Sequence, residues 1–124
     1  MLKSDLHTHA KEDTQDHIPY TAKEFIDEAA RKDFDVLSLT FHRKVFWKAD
    51  IVRYAQKKGI LLIPGCEMCV ENRHVLIYNK SAAKLKRIVE RIQEENRIDR
   101  INQLKQDCLV IAPHPYYCNP LLFF

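Results

Sequence analysis

The residues of this chain that could do chemistry are histidines and one glutamate, spaced so that they could share metal ions. His7 and His9 stand two apart in Asp5-Leu6-His7-Thr8-His9, and in an extended chain residues i and i+2 point to the same side, so both imidazoles can converge on one point. His42, His74 and His114 recur further along, with the carboxylate of Glu67, each close to a run that reads as a strand. Imidazole nitrogens suit zinc and other borderline divalent metals, and a carboxylate can bridge two such ions. Four or five histidines, one glutamate and one aspartate exceed what a single tetrahedral zinc needs. A cluster of two or three ions is the economical account, and its use would be hydrolysis: the metals lower the pKa of a bound water and clamp the oxygens of an attacked phosphoryl group. A phosphate ester fits that chemistry better than a peptide. The aspartate would come from the loop after His9, where Asp13, Asp16 and His17 could each close onto the ions; Asp16 is the first choice. Asp5 is expected to hydrogen-bond a neighbouring strand or to orient an imidazole.

Other groups have a chemical and a plain reading. Arg43 and Lys44 directly follow His42 and would face the same mouth, where they could bind a substrate oxyanion; otherwise they are a solvated pair. Tyr116 and Tyr117 line the pocket or simply pack. Cys66-Glu67-Met68-Cys69 has the Cys-x-x-Cys spacing, but Cys108 and Cys118 complete a zinc site poorly, so buried free thiols are the preferred reading. A lone His42 or His114 would ordinarily be a packed or capping residue. It is their joint placement beside successive strands that asks for a site.

The elements that must position these residues alternate. Leu2 to Leu6 reads as a strand, and Thr21 with Glu24 three residues on forms a capping-box pattern that starts a helix ending near Lys32. Asp35 to Phe41 is of strand length, with His42 just past it. Val45 to Lys58 is helical, stopping at Gly59. Ile60 to Ile63 is a continuously apolar strand of the kind covered on both faces, and it delivers Glu67 beyond Pro64-Gly65. A polar link at 71–73 leads to a strand at His74 to Tyr78, so that His74 fits only if the strand begins earlier or the link bends back. Ser81 to Cys108 is helical with a phase slip at 94–97 that implies a kink or two helices. Leu109 to Ala112 is a fifth strand, ending at Pro113-His114. Strands alternating with helices imply parallel pairing with right-handed crossovers, and the C-terminal ends of such strands lie on one face where sites are assembled.

The totals agree with one globular domain over 1–124, with 46% hydrophobic and 30% charged residues. A net charge of +3 with no basic stripe neither demands nor rules out nucleic acid. No apolar run reaches the length of a membrane span and no signal peptide is visible, so a cytoplasmic location without membrane association is expected. The apolar end, Leu121 to Phe124, is expected to dock on the domain or on a partner subunit, or to mark a chain cut inside a longer fold.

Taken together, Asp5-Leu6-His7-Thr8-His9, Leu39-Thr40-Phe41-His42, Pro64-Gly65-Cys66-Glu67, His74-Val75-Leu76 and Ala112-Pro113-His114-Pro115 resemble, in order, five motifs of the PHP domain, the polymerase and histidinol phosphatase superfamily. The resemblance implies a partial or reduced form of a distorted, TIM-like (β/α)7 barrel, here about five parallel strands with crossover helices. It also implies two or three divalent ions, zinc, manganese or iron, and phosphoester hydrolysis. Carried over, His7 and His9 would bind one metal and Glu67 would bridge two. His42 and His74 would serve the second, and His114 a third together with Asp16 or His17. His7, His9, Glu67 and His114 form the expected catalytic set, with His114 able to protonate the leaving alcohol.

Two departures stand out. Phe41 replaces the aspartate usual before His42, and the family's final Asp-x-His motif is absent, so 1–124 resembles the N-terminal part of the family fold. The substrate expected is a phosphorylated small molecule or nucleotide, and a homo-oligomer would cover the open barrel edge. The competing expectation is a catalytically inactive module that keeps metals for stability. A third, an α/β interaction protein without metals, leaves the placement of the histidines unexplained.

Overall fold

A computed structural model describes residues 1–114. Their first half alternates strand and helix: β1 (Ser4–Thr8), α1 (Ala22–Arg31), β2 (Val36–Leu39), α2 (Ala49–Lys57) and β3 (Leu61–Leu62). The three strands pair in parallel in the order β1-β2-β3. Helix α1 starts at the predicted box: the Thr21 hydroxyl accepts from the Glu24 N–H and the Glu24 carboxylate accepts from the Thr21 N–H. It buries Ala22, Ile26 and Ala29 against a core that includes Leu37, Phe41, Ala55 and Ile60. All four residues of β2 are buried, as expected of a strand covered on both faces. Helix α2 begins at Ala49 rather than Val45, because Val45 and Phe46 turn inward as core residues.

The second half corrects the expectation of five strands paired in parallel. β4 (Gly65–Val70) and β5 (Arg73–Tyr78) form an antiparallel hairpin, and β6 (Leu109–Ile111) pairs antiparallel with β5. Only Glu71 and Asn72 separate β4 from β5, far too few for a parallel crossover. Both adopt positive φ, 46° and 61°, the conformation that a two-residue hairpin turn requires. β4 joins the first sheet through a parallel bridge between His42 and Glu67, so β1 to β4 and β6 run one way and β5 alone is reversed. Between β5 and β6 lie α3 (Ala82–Glu95) and α4 (Ile98–Gln103). They are separated at the expected slip, where Asn96 ends α3 in the left-handed conformation at φ 45°.

A second core, including Met68, Val75, Ile77, Val89 and Ile92, packs α3 and α4 on the outer face of β4 and β5. Each such fully buried aliphatic side chain contributes roughly 1.5–3 kcal/mol. Among the described residues Cys66, Cys69 and Cys108 are free thiols, and Cys66 and Cys69, three apart on one strand, point to opposite faces. No helix among the described residues is long and apolar enough to cross a membrane. The expectations for Tyr116, Tyr117, Cys118 and the apolar end lie outside the described residues.

Candidate metal centre

Glu67 lies in the middle of β4 on its inner face, 2% exposed, and five imidazoles close around its carboxylate. His7 Nε2 and His9 Nε2 each lie 3.0 Å from Oε2, and His42 Nε2 lies 3.4 Å from it. His74 Nδ1 is 2.7 Å and His114 Nε2 3.2 Å from Oε1. The local folding explains the convergence. A bulge between Asp5 and Thr8 shifts the register of β1 against β2 and aims His7 and His9 inward, while the Asp5 side chain accepts from the His7 N–H at 3.2 Å. His42 sits past β2 on the bridge that ties it to Glu67, with Glu67 N–H donating to Phe41 O at 3.1 Å and Arg43 N–H donating to Glu67 O at 2.8 Å. The hairpin brings back His74, which lies on β5 opposite Cys69; its strand does begin earlier than its apolar run, and the link does bend back. His114 follows β6.

The loop after His9 supplies two carboxylates. Asp13, 3% exposed, places Oδ2 at 2.8 Å from His9 Nδ1 and 2.9 Å from His42 Nδ1, and the same oxygen accepts from the His42 N–H at 3.0 Å. Asp16 Oδ2 stands further out, 3.6 Å from His9 Nδ1 and 3.7 Å from His42 Nδ1. His17 is exposed and stays outside the cluster. Asp13 joins Asp16 in this loop: it lies four residues after His9, and only the loop path shows that it is buried while Asp16 stays partly exposed.

Electrostatically the cluster is a set of donors around two buried carboxylates. Burial works against the charge of Glu67, yet the imidazoles of His7, His9 and His74 outweigh it and hold the carboxyl far below the usual range. Asp13 is likewise lowered: burial opposes its charge, while bonds from His9 and His42 favour it. Burial also opposes the charge on His9, and Glu67 and Asp13 together raise its pKa above 6.5. Both of its ring nitrogens face carboxylate oxygens, so it can donate at both only as an imidazolium. Burial pushes the neighbouring Cys66 thiol up to about 12, which leaves it an inert packing residue.

All seven expected metal ligands, His7, His9, Asp16, His42, Glu67, His74 and His114, line one open cavity of about 340 Å³. Their donor atoms fit divalent ions. His9, Asp13, Asp16 and His42 offer one group of donors within 4.8 Å of one another, and His7, Glu67 and His114 offer another. Ligand atoms about 2.0–2.1 Å from a tetrahedral ion stand roughly 3.3 Å apart, and the imidazole nitrogens around Glu67 lie 2.7 to 3.4 Å from its oxygens. A carboxylate has about four lone-pair sites, fewer than the five imidazoles crowding it. Arg43 and Lys44 are exposed and do not line this cavity. Phe41, directly before His42, is a core residue stacked on Phe46 at 4.5 Å between ring centroids.

The PHP domain family matches the chain over residues 5–114. Among solved structures the chain is similar to an amidohydrolase from Chromobacterium violaceum with bound sulfate and no metal, at 26% identity and a TM-score of 0.57, covering 82% of this chain and 37% of that one. A structure of a candidate metal-dependent phosphoesterase from Bifidobacterium adolescentis shares the fold at 15% identity and a TM-score of 0.56, covering 82% of this chain and 39% of the other. The chain thus spans less than two fifths of the length of either structure. No curated protein matches it in sequence.

Proposed function

The chain belongs to the PHP domain family, and from that premise we propose that it is a metal-dependent phosphoesterase acting on a phosphorylated small molecule or nucleotide. The observation that carries this reading is the convergence of five imidazoles on one buried glutamate, Glu67. His7, His9, His42, Glu67, His74 and His114, with Asp13 and Asp16 from the loop, would hold two or three divalent ions, zinc, manganese or iron. Such ions make water nucleophilic near neutral pH and neutralise the oxygens of a phosphoryl group.

The chain's own residues supply the rest. Glu67 stays ionised despite its burial and binds the histidines into one unit. His114, whose side chain is 34% exposed at the cavity mouth, donates a proton to the leaving alcohol. Arg43 and Lys44, exposed just past His42 and outside the cavity lining, would have to reach in from beyond it to bind substrate oxyanions. In the longer family fold these strands would form the first part of a distorted barrel. A second copy of the chain along the outer edge of β6 is the protein partner in this reading, and the cytoplasm is its location.

The test is hydrolysis of p-nitrophenyl phosphate and bis(p-nitrophenyl) phosphate by the chain loaded with manganese or zinc, beside the His7→Ala/His9→Ala double variant. Turnover that the double variant loses supports the reading. Metal retention without turnover of any phosphoester would replace it with the inactive metal-binding module.

A further inference from the structure

Glu12 does not face the cavity; it reaches the other way and accepts from the Ala22 N–H with both carboxylate oxygens, at 3.1 and 3.0 Å. Ala22 is the first residue of α1, so its N–H is one of the donors a helix start leaves without an intrahelical partner, and an anionic acceptor is favoured there by the helix dipole. The capping box at Thr21 and Glu24 satisfies the neighbouring donors but not this one. The bond spans ten residues and closes the loop that carries Asp13 and Asp16. The same closure is made at the loop neck by Lys11 N–H donating to Tyr20 O at 2.7 Å. Inside the loop, Asp13 N–H donates to Ala10 O at 2.8 Å and Asp16 N–H to Asp13 O at 3.2 Å. Since Ala22 is fully buried in the first core, Glu12, the residue directly before Asp13, ties the loop to a fixed point.

We propose that Glu12 is a positioning residue: by capping α1 it holds the loop closed, so that Asp13 and Asp16 meet His9 and His42 as one cation-binding group. This rests on the metal reading of the cavity. Without the clamp the closed loop is only part of the population, and the apparent affinity for a cation falls by that fraction.

The test uses the full chain as wild type, Glu12→Ala, Glu12→Gln and Thr21→Ala. Residue-resolved hydrogen exchange is followed on metal-free protein, and Mn²⁺ binding by calorimetric titration. Glu12→Ala should speed exchange of the Asp13 and His42 amides about tenfold, the size of one helix-cap interaction. It should weaken Mn²⁺ at the His9, Asp13, Asp16 and His42 group by a similar factor and leave the ion at His7, Glu67 and His114 unchanged. Glu12→Gln, whose carboxamide oxygen still accepts from Ala22, should restore both readouts. Thr21→Ala should lower the melting temperature but spare loop exchange and Mn²⁺ binding. If Glu12→Ala does not fold, Glu12→Asp, one methylene too short for the bond, decides in its place. Unaltered loop exchange in Glu12→Ala, or equal effects of Thr21→Ala, would overturn the proposal and leave Glu12 a plain helix cap. A wild type that binds no Mn²⁺ would overturn the metal reading itself, while the exchange measurement still decides whether Glu12 clamps the loop.

Discussion

At the scale of residues the account turns on what Glu67 and Asp13 do for the imidazoles around them. Replacing Glu67 by Gln keeps the shape and removes the charge on which five imidazoles converge. Because removing even outer partners of a metal site costs 10–100-fold in affinity, Glu67→Gln should weaken zinc binding by at least about 100-fold, measured by competition with a chromophoric chelator.

The proton balance gives a second prediction for metal-free protein. Glu67 and Asp13 have lowered pKa values, so the stability they contribute is complete above their unfolded pKa of about 4 and is lost as pH falls through the folded values. His9 has a raised pKa, so its contribution is complete below about 6.5 and is lost as pH rises through the folded value. The chelator-treated chain should therefore melt highest between roughly pH 4.5 and 6.5. Added zinc should stabilise it most above that window, where imidazoles are free of protons. A chelated chain that keeps gaining stability from there into the alkaline range would contradict this protonation scheme. The ligand residues were legible in the sequence because histidine pairs and strand-adjacent histidines are distinctive. Asp13 was not, because Asp13 and Asp16 look alike until the loop path buries one of them.

At the scale of elements the hairpin decides the site, since β4 puts Glu67 mid-strand and β5 returns His74 beside it. The helices were legible at their ends: Thr21 and Glu24 mark a start, and the slip near Asn96 marks a break. The hairpin was hidden because Glu71-Asn72 lacks the glycine usual in such turns and because Pro64-Gly65 reads as the end of the strand before Glu67. Gly65 at the head of β4 tests this packing. A Cβ there would overlap the Ser38 hydroxyl and come within 2.8 Å of Tyr78 Cδ1 and 2.9 Å of Thr40 Cγ2. Ser38 is held by its bond to Ile63 O and Thr40 by its bonds with residue 8, so neither yields freely. Gly65→Ala should cost about 1–3 kcal/mol, read from urea denaturation. An unchanged midpoint would show that β4 approaches β2 less closely than described.

At the scale of the whole molecule the alternation of strands and helices was readable, and the shared direction of β1, β2, β3 and β6 follows from it; β4 does not read as a strand, and the pairing was hidden because β5 enters reversed between β4 and β6. β1 and β6 are outer strands of their sheets, and Leu109 and Ile111 on β6 are exposed, a combination that favours strand addition. Sedimentation should show a dimer that Leu109→Lys dissociates; a monomer at all concentrations would remove the second copy from the account.

Whether these residues form a metal centre is decided by the number of ions per chain, from elemental analysis of untagged protein purified without chelator. The chain should carry two or more tightly held divalent ions, lost together in a His7, His9 and Glu67 triple variant. A folded chain that carries fewer than one ion, or a triple variant with unchanged metal content, would contradict it.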